Sequence, residues 1–133
     1  MIADGLITLE SAYGPKDTMD RLEAVVKAKG LTVFARIDHA AGTARVGLPL
    51  PPTAVLVFGN AKGGTPLMQA AQTIGIDLPL KALVWQDAAG KTLLSYNDPG
   101  WIAKRHGLGH EVEATVGGLS TVLSGLAKAA TSP

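Results

Sequence analysis

Three groups of residues in this chain have types and spacings that could support chemistry. The first is Gly59-Asn60-Ala61-Lys62-Gly63-Gly64-Thr65, between an apolar run and a helix start. It has the G-x-x-x-x-G spacing of a phosphate-binding loop, in which backbone amides surround phosphate oxygens. That motif continues with Lys and then Ser or Thr. Here Thr65 follows Gly64 directly and Lys62 lies inside the loop, so nucleotide hydrolysis is disfavoured. A weaker function survives: N–H groups at a helix start can hold a carboxylate or phosphate. The competing explanation is that the glycines only permit a tight turn.

The second group is His39, His106 and His110. A metal would need two or three convergent ligands with Asp or Glu. His106 and His110 have i,i+4 spacing, but Gly107 and Gly109 interrupt the helix between them. Asp38 and His39 are adjacent, and on a strand they point to opposite faces. No metal and no cofactor are expected. The third group is the hydroxyls and carboxylates. No Gly-x-Ser-x-Gly elbow occurs, and Ser11, Ser95, Ser120 and Ser124 have no evident base partner. Among Asp38, Asp77, Asp87 and Asp98, three sit where turns or caps account for them. No catalytic residue is assigned. Arg105-His106 closes a short helix, where cations complement the dipole, and Trp85 and Tyr96 read as packing residues.

These residues must be positioned by a chain that alternates strands and helices. Gly5 to Glu10 reads as a strand with Ile7 and Leu9 on one face. A helix from Pro15 to about Lys29 carries Met19, Leu22, Val25 and Val26 as its apolar stripe. Leu31 to Asp38 alternates, with Leu31, Val33, Ala35 and Ile37 facing one way. His39 to Leu48 is a short helix or a loop, and the prolines at 49, 51 and 52 then impose an extended connection. Thr53 to Phe58 is apolar on both faces, as in a central strand. Thr65 reads as an N-cap and Pro66 as the first residue of a helix ending at Gly75. Leu80 to Gln86 and Lys91 to Tyr96 form a hairpin turned at Gly90. Asp98-Pro99 opens a short helix ending near Gly107, and a last helix spans about residues 111–130. The predicted architecture is α+β: two layers, a mixed, mostly antiparallel sheet of about five strands, with helices packed on it.

The 133 residues fit one domain spanning 1–133. Lys and Arg number 12 against 11 Asp and Glu, so no field argues for nucleic acid or an anionic membrane, and aromatics are only 5%. Cysteine is absent, which removes disulfides, thiol catalysis and thiolate metal sites. No signal-peptide pattern opens the sequence, and no apolar run approaches the ~20 residues of a membrane helix. A soluble, cytoplasmic protein with no nucleic-acid or membrane partner is expected.

Several blocks together resemble one family, the domain of unknown function DUF302. They are Asp17-Thr18-Met19-Asp20-Arg21-Leu22, Phe34-Ala35-Arg36-Ile37-Asp38-His39, and Phe58-Gly59-Asn60 with Lys62 and Gly64-Thr65-Pro66-Leu67-Met68. Asp77-Leu78-Pro79-Leu80-Lys81, Ser95-Tyr96-Asn97-Asp98-Pro99 and Arg105-His106 follow. They occur in order over residues 5–108, and Ala61 departs from the proline expected there. The resemblance implies a compact α+β domain, a homodimer, and no established activity. It directs attention to the polar residues of those blocks, Asp38, Asp77 and Asn97 among them.

The resulting expectation is a homodimeric module that binds a small polar or anionic ligand near the Asn60–Thr65 loop. Its binding candidates are Arg36, His39, Asn60, Lys62, Gly64, Thr65, Arg105 and His106. An enzyme, hydrolytic or metal-assisted, would instead use Asp38, His39 or His106. A structural or interaction protein would show a large apolar surface patch.

Overall fold

Apolar residues at every second position of the strands and on one stripe of two helices give this chain its layers. A computed structural model describes residues 3–133. The strands are β1 (Leu6–Glu10), β2 (Thr32–Asp38), β3 (Thr53–Gly59), β4 (Leu80–Gln86) and β5 (Thr92–Asn97). The helices are α1 (Pro15–Ala28), α2 (His39–Arg45), α3 (Ala61–Ala70), α4 (Pro99–Arg105) and α5 (Glu113–Thr131). The strands form one five-stranded sheet in the order β1-β5-β4-β3-β2. All its pairings are antiparallel. β1 and β2 do run the same way, but α1 carries the chain from one edge of the sheet to the other, so these parallel strands are never neighbours.

Helices α1 and α5 pack on one face and on each other. Met19, Leu22 and Val26 of α1 and Leu123, Leu126, Ala127 and Ala130 of α5 meet Leu56, Phe58, Leu80, Ala82, Val84, Leu94 and Tyr96 of the sheet. The last helix therefore completes the core. A smaller cluster, Leu67, Ile74, Ile102, Ala103, Leu108 and Val112, lies beside it, and Leu78 and Leu119 pack against both.

Three local expectations give way to other forces. The alternation of β2 breaks at a β-bulge between Val33 and Ala35. Val33 pairs with Phe58 on the helix side, whereas Ala35 and Ile37 pair with Val57 and Val55 on the opposite side. The bulge turns Arg36 toward α1, where it forms ion pairs with Asp20 (2.8 Å) and Glu23 (3.2 Å). It also leaves Phe34 more than half exposed.

The N-cap of α3 is Asn60, not Thr65: its Oδ1 accepts from the Gly63 amide at 2.7 Å. A side-chain acceptor three residues ahead of an amide satisfies one of the helix's first free donors, and Thr65-Pro66 becomes helix interior. The helix stops at Ala70 rather than Gly75, and residues Gln72–Ile76 form a separate 3₁₀ turn that buries Ile74. Asp87 and Asp98 act as expected for a turn and a cap, accepting from the Ala89 and Gly100 amides, and Asp38, read as a strand end, also caps α2 by accepting from the Ala41 amide.

The opposite sheet face carries Val55, Val57, Leu83 and Trp85, and α2 borders it through His39. Trp85 Nε1 donates to Ser95 Oγ at 2.9 Å, and Ser95 in turn bonds Thr8 at 2.8 Å. Trp85, Ser95 and Thr8 thus form one hydrogen-bonded chain on this face.

Candidate functional site

A cavity of about 520 Å³ lies between the start of α3, the first half of α5 and the adjoining ends of β2, β3 and β4. Four stretches far apart in the sequence wall it: Leu31 and Phe34; Gly59 to Met68; Gly75 to Leu80; and Ala114 to Val122. Its lining is mostly apolar, and none of the lining residues is charged. Asn60 and Thr115 bring the only side-chain hydrogen-bonding groups among them.

The glycines of the loop have a packing role. A Cβ on Gly63 would lie 3.3 Å from Asn60 Oδ1 and 3.4 Å from Leu119 Cδ2. Gly63 thus lets α3 press against α5, and Gly64 faces Leu78 and Met68 across the cavity wall. Two amides that a phosphate loop would offer are already engaged: Gly63 N bonds Asn60 Oδ1, and Gly64 N bonds the Asn60 carbonyl at 3.3 Å. For the polar or anionic ligand expected here, the lining offers the side chains of Asn60 and Thr115 and no charged group.

Of the candidate residues, Asn60 and Gly64 line this cavity. Lys62 and Thr65 lie on the same helix with exposed side chains and outside the lining. Arg36 is held by the acids of α1 on the helix side of β2. His39 borders a different depression on the other sheet face, with Lys81, Leu83 and Trp85. Phe34, Met68, Leu78, Thr115, Gly118 and Leu119 were not among the sequence candidates. Phe34, Met68 and Leu78 stand in the family blocks, but their apolar character, like that of Gly118 and Leu119, does not separate a cavity wall from a core, and Thr115 carries no local signal.

Arg105 and His106 belong to a second constellation. Arg105 Nη1 donates to both carboxylate oxygens of Asp77 at 2.8 Å. His106 Nε2 bonds Asp77 Oδ2, and His106 Nδ1 bonds Thr73 Oγ1 at 2.9 Å. With its hydrogen on Nε2, the imidazole donates to the carboxylate and accepts from the hydroxyl. Hydroxyl, imidazole and carboxylate thus stand in the order of a nucleophile relay. Yet Thr73 is exposed, and none of the three lines the cavity or either shallower depression. The constellation clasps the end of α4 to the 3₁₀ turn and holds Leu78, the next residue, in the cavity wall. Asp38, His39 and His106 share no hydrogen bond, ion pair or cavity. Among the described residues, no three His, Asp or Glu side chains gather as a metal site requires.

Burial by itself would push the Asp77 carboxyl up, but hydrogen bonds and charge from His106 and Arg105 outweigh it and hold the group below its ordinary 3.8. A carboxyl depressed in the folded state gives stability that is present above its unfolded pKa and lost as pH falls through its folded pKa. The melting temperature is therefore expected to drop as pH is lowered from about 4. In Asp77→Asn the neutral-pH melting temperature falls and this acid limb flattens. Circular-dichroism melts from pH 7 to 2.5 read both; an unchanged limb would assign the acid loss to other carboxyls.

An open antiparallel sheet with helices packed on one face defines an α+β domain. Its sequence matches the family model "Domain of unknown function DUF302" over residues 7–126, and the chain belongs to that family. The match extends through most of α5, beyond the blocks read from sequence. A crystal structure of an uncharacterized conserved DUF302 protein from Bacillus stearothermophilus superposes with a TM-score of 0.85. It is 19% identical and covers 96% of this chain and 99% of that one, which shows the shared fold. The chain is also 47% identical over 126 residues to "Fluoride-specific ion channel FluC 1" of Brucella suis biovar 1. It has the same identity to a protein so named in Brucella abortus biovar 1. The alignments cover 92% of this chain but 50% and 47% of those proteins, so the chain spans about half the length of the curated relatives it matches.

Proposed function

We propose that this domain is a small-molecule binding module whose site is the cavity between α3, α5 and the β2–β3 end of the sheet. The observation that carries this reading is the cavity itself. Its volume falls within the ~300–1,000 Å³ of ligand pockets, and it pairs an apolar wall with a few hydrogen-bonding groups. Catalysis lacks comparable support, because the Thr73–His106–Asp77 set stands apart from it. Native mass spectrometry of the protein purified from its own cells tests the reading. One small molecule per chain is expected. A bare chain mass under the gentlest conditions, with no thermal shift from any compound of a metabolite panel, would sink it.

A homodimer fits the sheet face opposite α1 and α5, where Leu83, Trp85, Val55 and Val57 sit beside exposed Ile37. Contiguous apolar area of this kind marks association surfaces. Sedimentation velocity should give twice the chain mass, and Leu83→Glu should return it to one.

For the longer relatives, the reading is of an appended domain. An ion channel must cross a membrane, and no helix among the described residues is long and apolar enough to do so. The conducting part of those proteins is assigned to the half this chain does not cover. The present domain would then be the water-facing half, in the cytoplasm. Fluoride itself suits the cavity poorly. A compact anion entering it would lose its hydration without a charged partner.

A further inference from the structure

We infer that the ligand of this cavity is an amphiphile, with a hydrocarbon body inside and a hydrogen-bonding head at the mouth. The inference rests on the binding-module reading and narrows its ligand. Leu31, Phe34, Met68, Leu78, Leu119 and Val122 present apolar surface to the interior, and no lining side chain is charged. Burying hydrocarbon there is favourable, whereas burying an ion is costly.

The polar contacts are few and of fixed kind. Asn60 Oδ1 already accepts from Gly63, so Asn60 offers a ligand its amide N–H groups. Thr115 offers a hydroxyl. Two such groups can orient a carboxylate, alcohol or amide head without requiring a charge. Head chemistry therefore sets orientation, and body length sets affinity. Each methylene added to the body tightens binding roughly fourfold until the cavity is full.

Gly118 supplies a direct way to close the site. It lines the cavity from the exposed side of α5, and a Cβ added there meets nothing within 4 Å. A leucine at this position projects into open space at the wall while removing a helix-weakening glycine. Ala114 lies one helical turn earlier on the same wall. The neighbouring Gly117 also has open space around its Cβ position but does not line the cavity.

Titration of the full chain with hexanol, octanol and decanol, decanoate below its micelle concentration, inorganic phosphate and fluoride tests the inference by calorimetry. Decanol and decanoate are expected to bind with similar affinity. Octanol is expected to bind about 15-fold more weakly than decanol and hexanol more weakly again, with no heat from phosphate or fluoride. Gly118→Leu and Ala114→Leu are each expected to weaken decanol at least tenfold without lowering the melting temperature, so misfolding of either leaves the other to decide. Gly117→Ala should raise the melting temperature and leave decanol affinity unchanged. Binding of phosphate without decanol would overturn the amphiphile and leave the binding module standing. Decanol affinity indifferent to both blocking variants would place the amphiphile elsewhere and overturn the assignment. Silence from every probe, together with a bare chain in native mass spectrometry, would overturn both readings.

Discussion

Phe58→Ala is expected to lower the free energy of unfolding by about 3–5 kcal/mol. Phe58 is fully buried and heads the largest side chains with no exposed surface. It sits on the interior strand β3, pairing with Val33 on one side and Leu80 on the other. Truncation removes its transfer free energy and leaves a void that both neighbouring strands, fixed by their ladders, can fill only in part. A domain of this kind is stable by only ~5–15 kcal/mol, so the variant spends a large part of the margin. Guanidinium denaturation should show a lower midpoint with an unchanged slope, the sign of lost stability rather than a changed unfolded state. A loss under ~1 kcal/mol would mean that the core relaxes into the void and is not close-packed at this strand. The effect also bears on the site, because Phe58 leads directly into Gly59 and Asn60 at the cavity wall.

What could be read from the residues differs between fold and site for a physical reason. Strand and helix signals are local. The unbroken apolar run of β3, the stripe on α1, the Asp98 cap and the Gly90 turn all act within a few residues, and all are legible. The bulge at Phe34 is not. Its benefit is the Arg36 pairing with Asp20 and Glu23, and those partners lie on another element. The start of α3 was misplaced because Thr65-Pro66 satisfies the local cap rule as well as Asn60 does. Asn60 is selected by tertiary packing, where Gly63 allows Leu119 of α5 to approach.

The cavity was least legible of all. A wall made of Gly64, Gly118, Leu78 and Phe34 uses the residue types of any core, and only their spacing in three dimensions leaves a gap. The polar residues that did stand out, Arg36, Arg105 and His106, are largely occupied with protein partners. The family blocks recovered identity and fold through the same residues. Asp77 and His106 stand in those blocks as a clasp between α4 and the 3₁₀ turn. Thr73, which joins the clasp through His106, carries no local mark.

Gly5→Ala is expected to cost about 2–4 kcal/mol, from a residue outside the main core. Gly5 has φ of +73°, a region that L-residues other than Gly enter only at a cost of ~1–2 kcal/mol. Its carbonyl accepts from the Asp98 amide at 2.7 Å, which docks the start of α4 on the start of β1. A Cβ there would lie 2.3 Å from Trp101 Cγ and 2.8 Å from Trp101 Cβ. Rotation of the indole can relieve the first contact. The second involves an atom fixed to α4, so the helix itself must shift. The backbone and steric costs separate experimentally. Gly30 has a matching φ of +76° with nothing within 4 Å of a Cβ position, so Gly30→Ala measures the backbone cost alone. The excess of Gly5→Ala over Gly30→Ala is the clash, and it should shrink when Trp101→Ala is added, giving a coupling above ~1 kcal/mol in the double-mutant cycle. Equal losses at the two glycines, with no coupling to Trp101, would show that α4 yields freely. The junction between β1 and α4 would then be held by the Asp98 hydrogen bonds rather than by close packing of the indole.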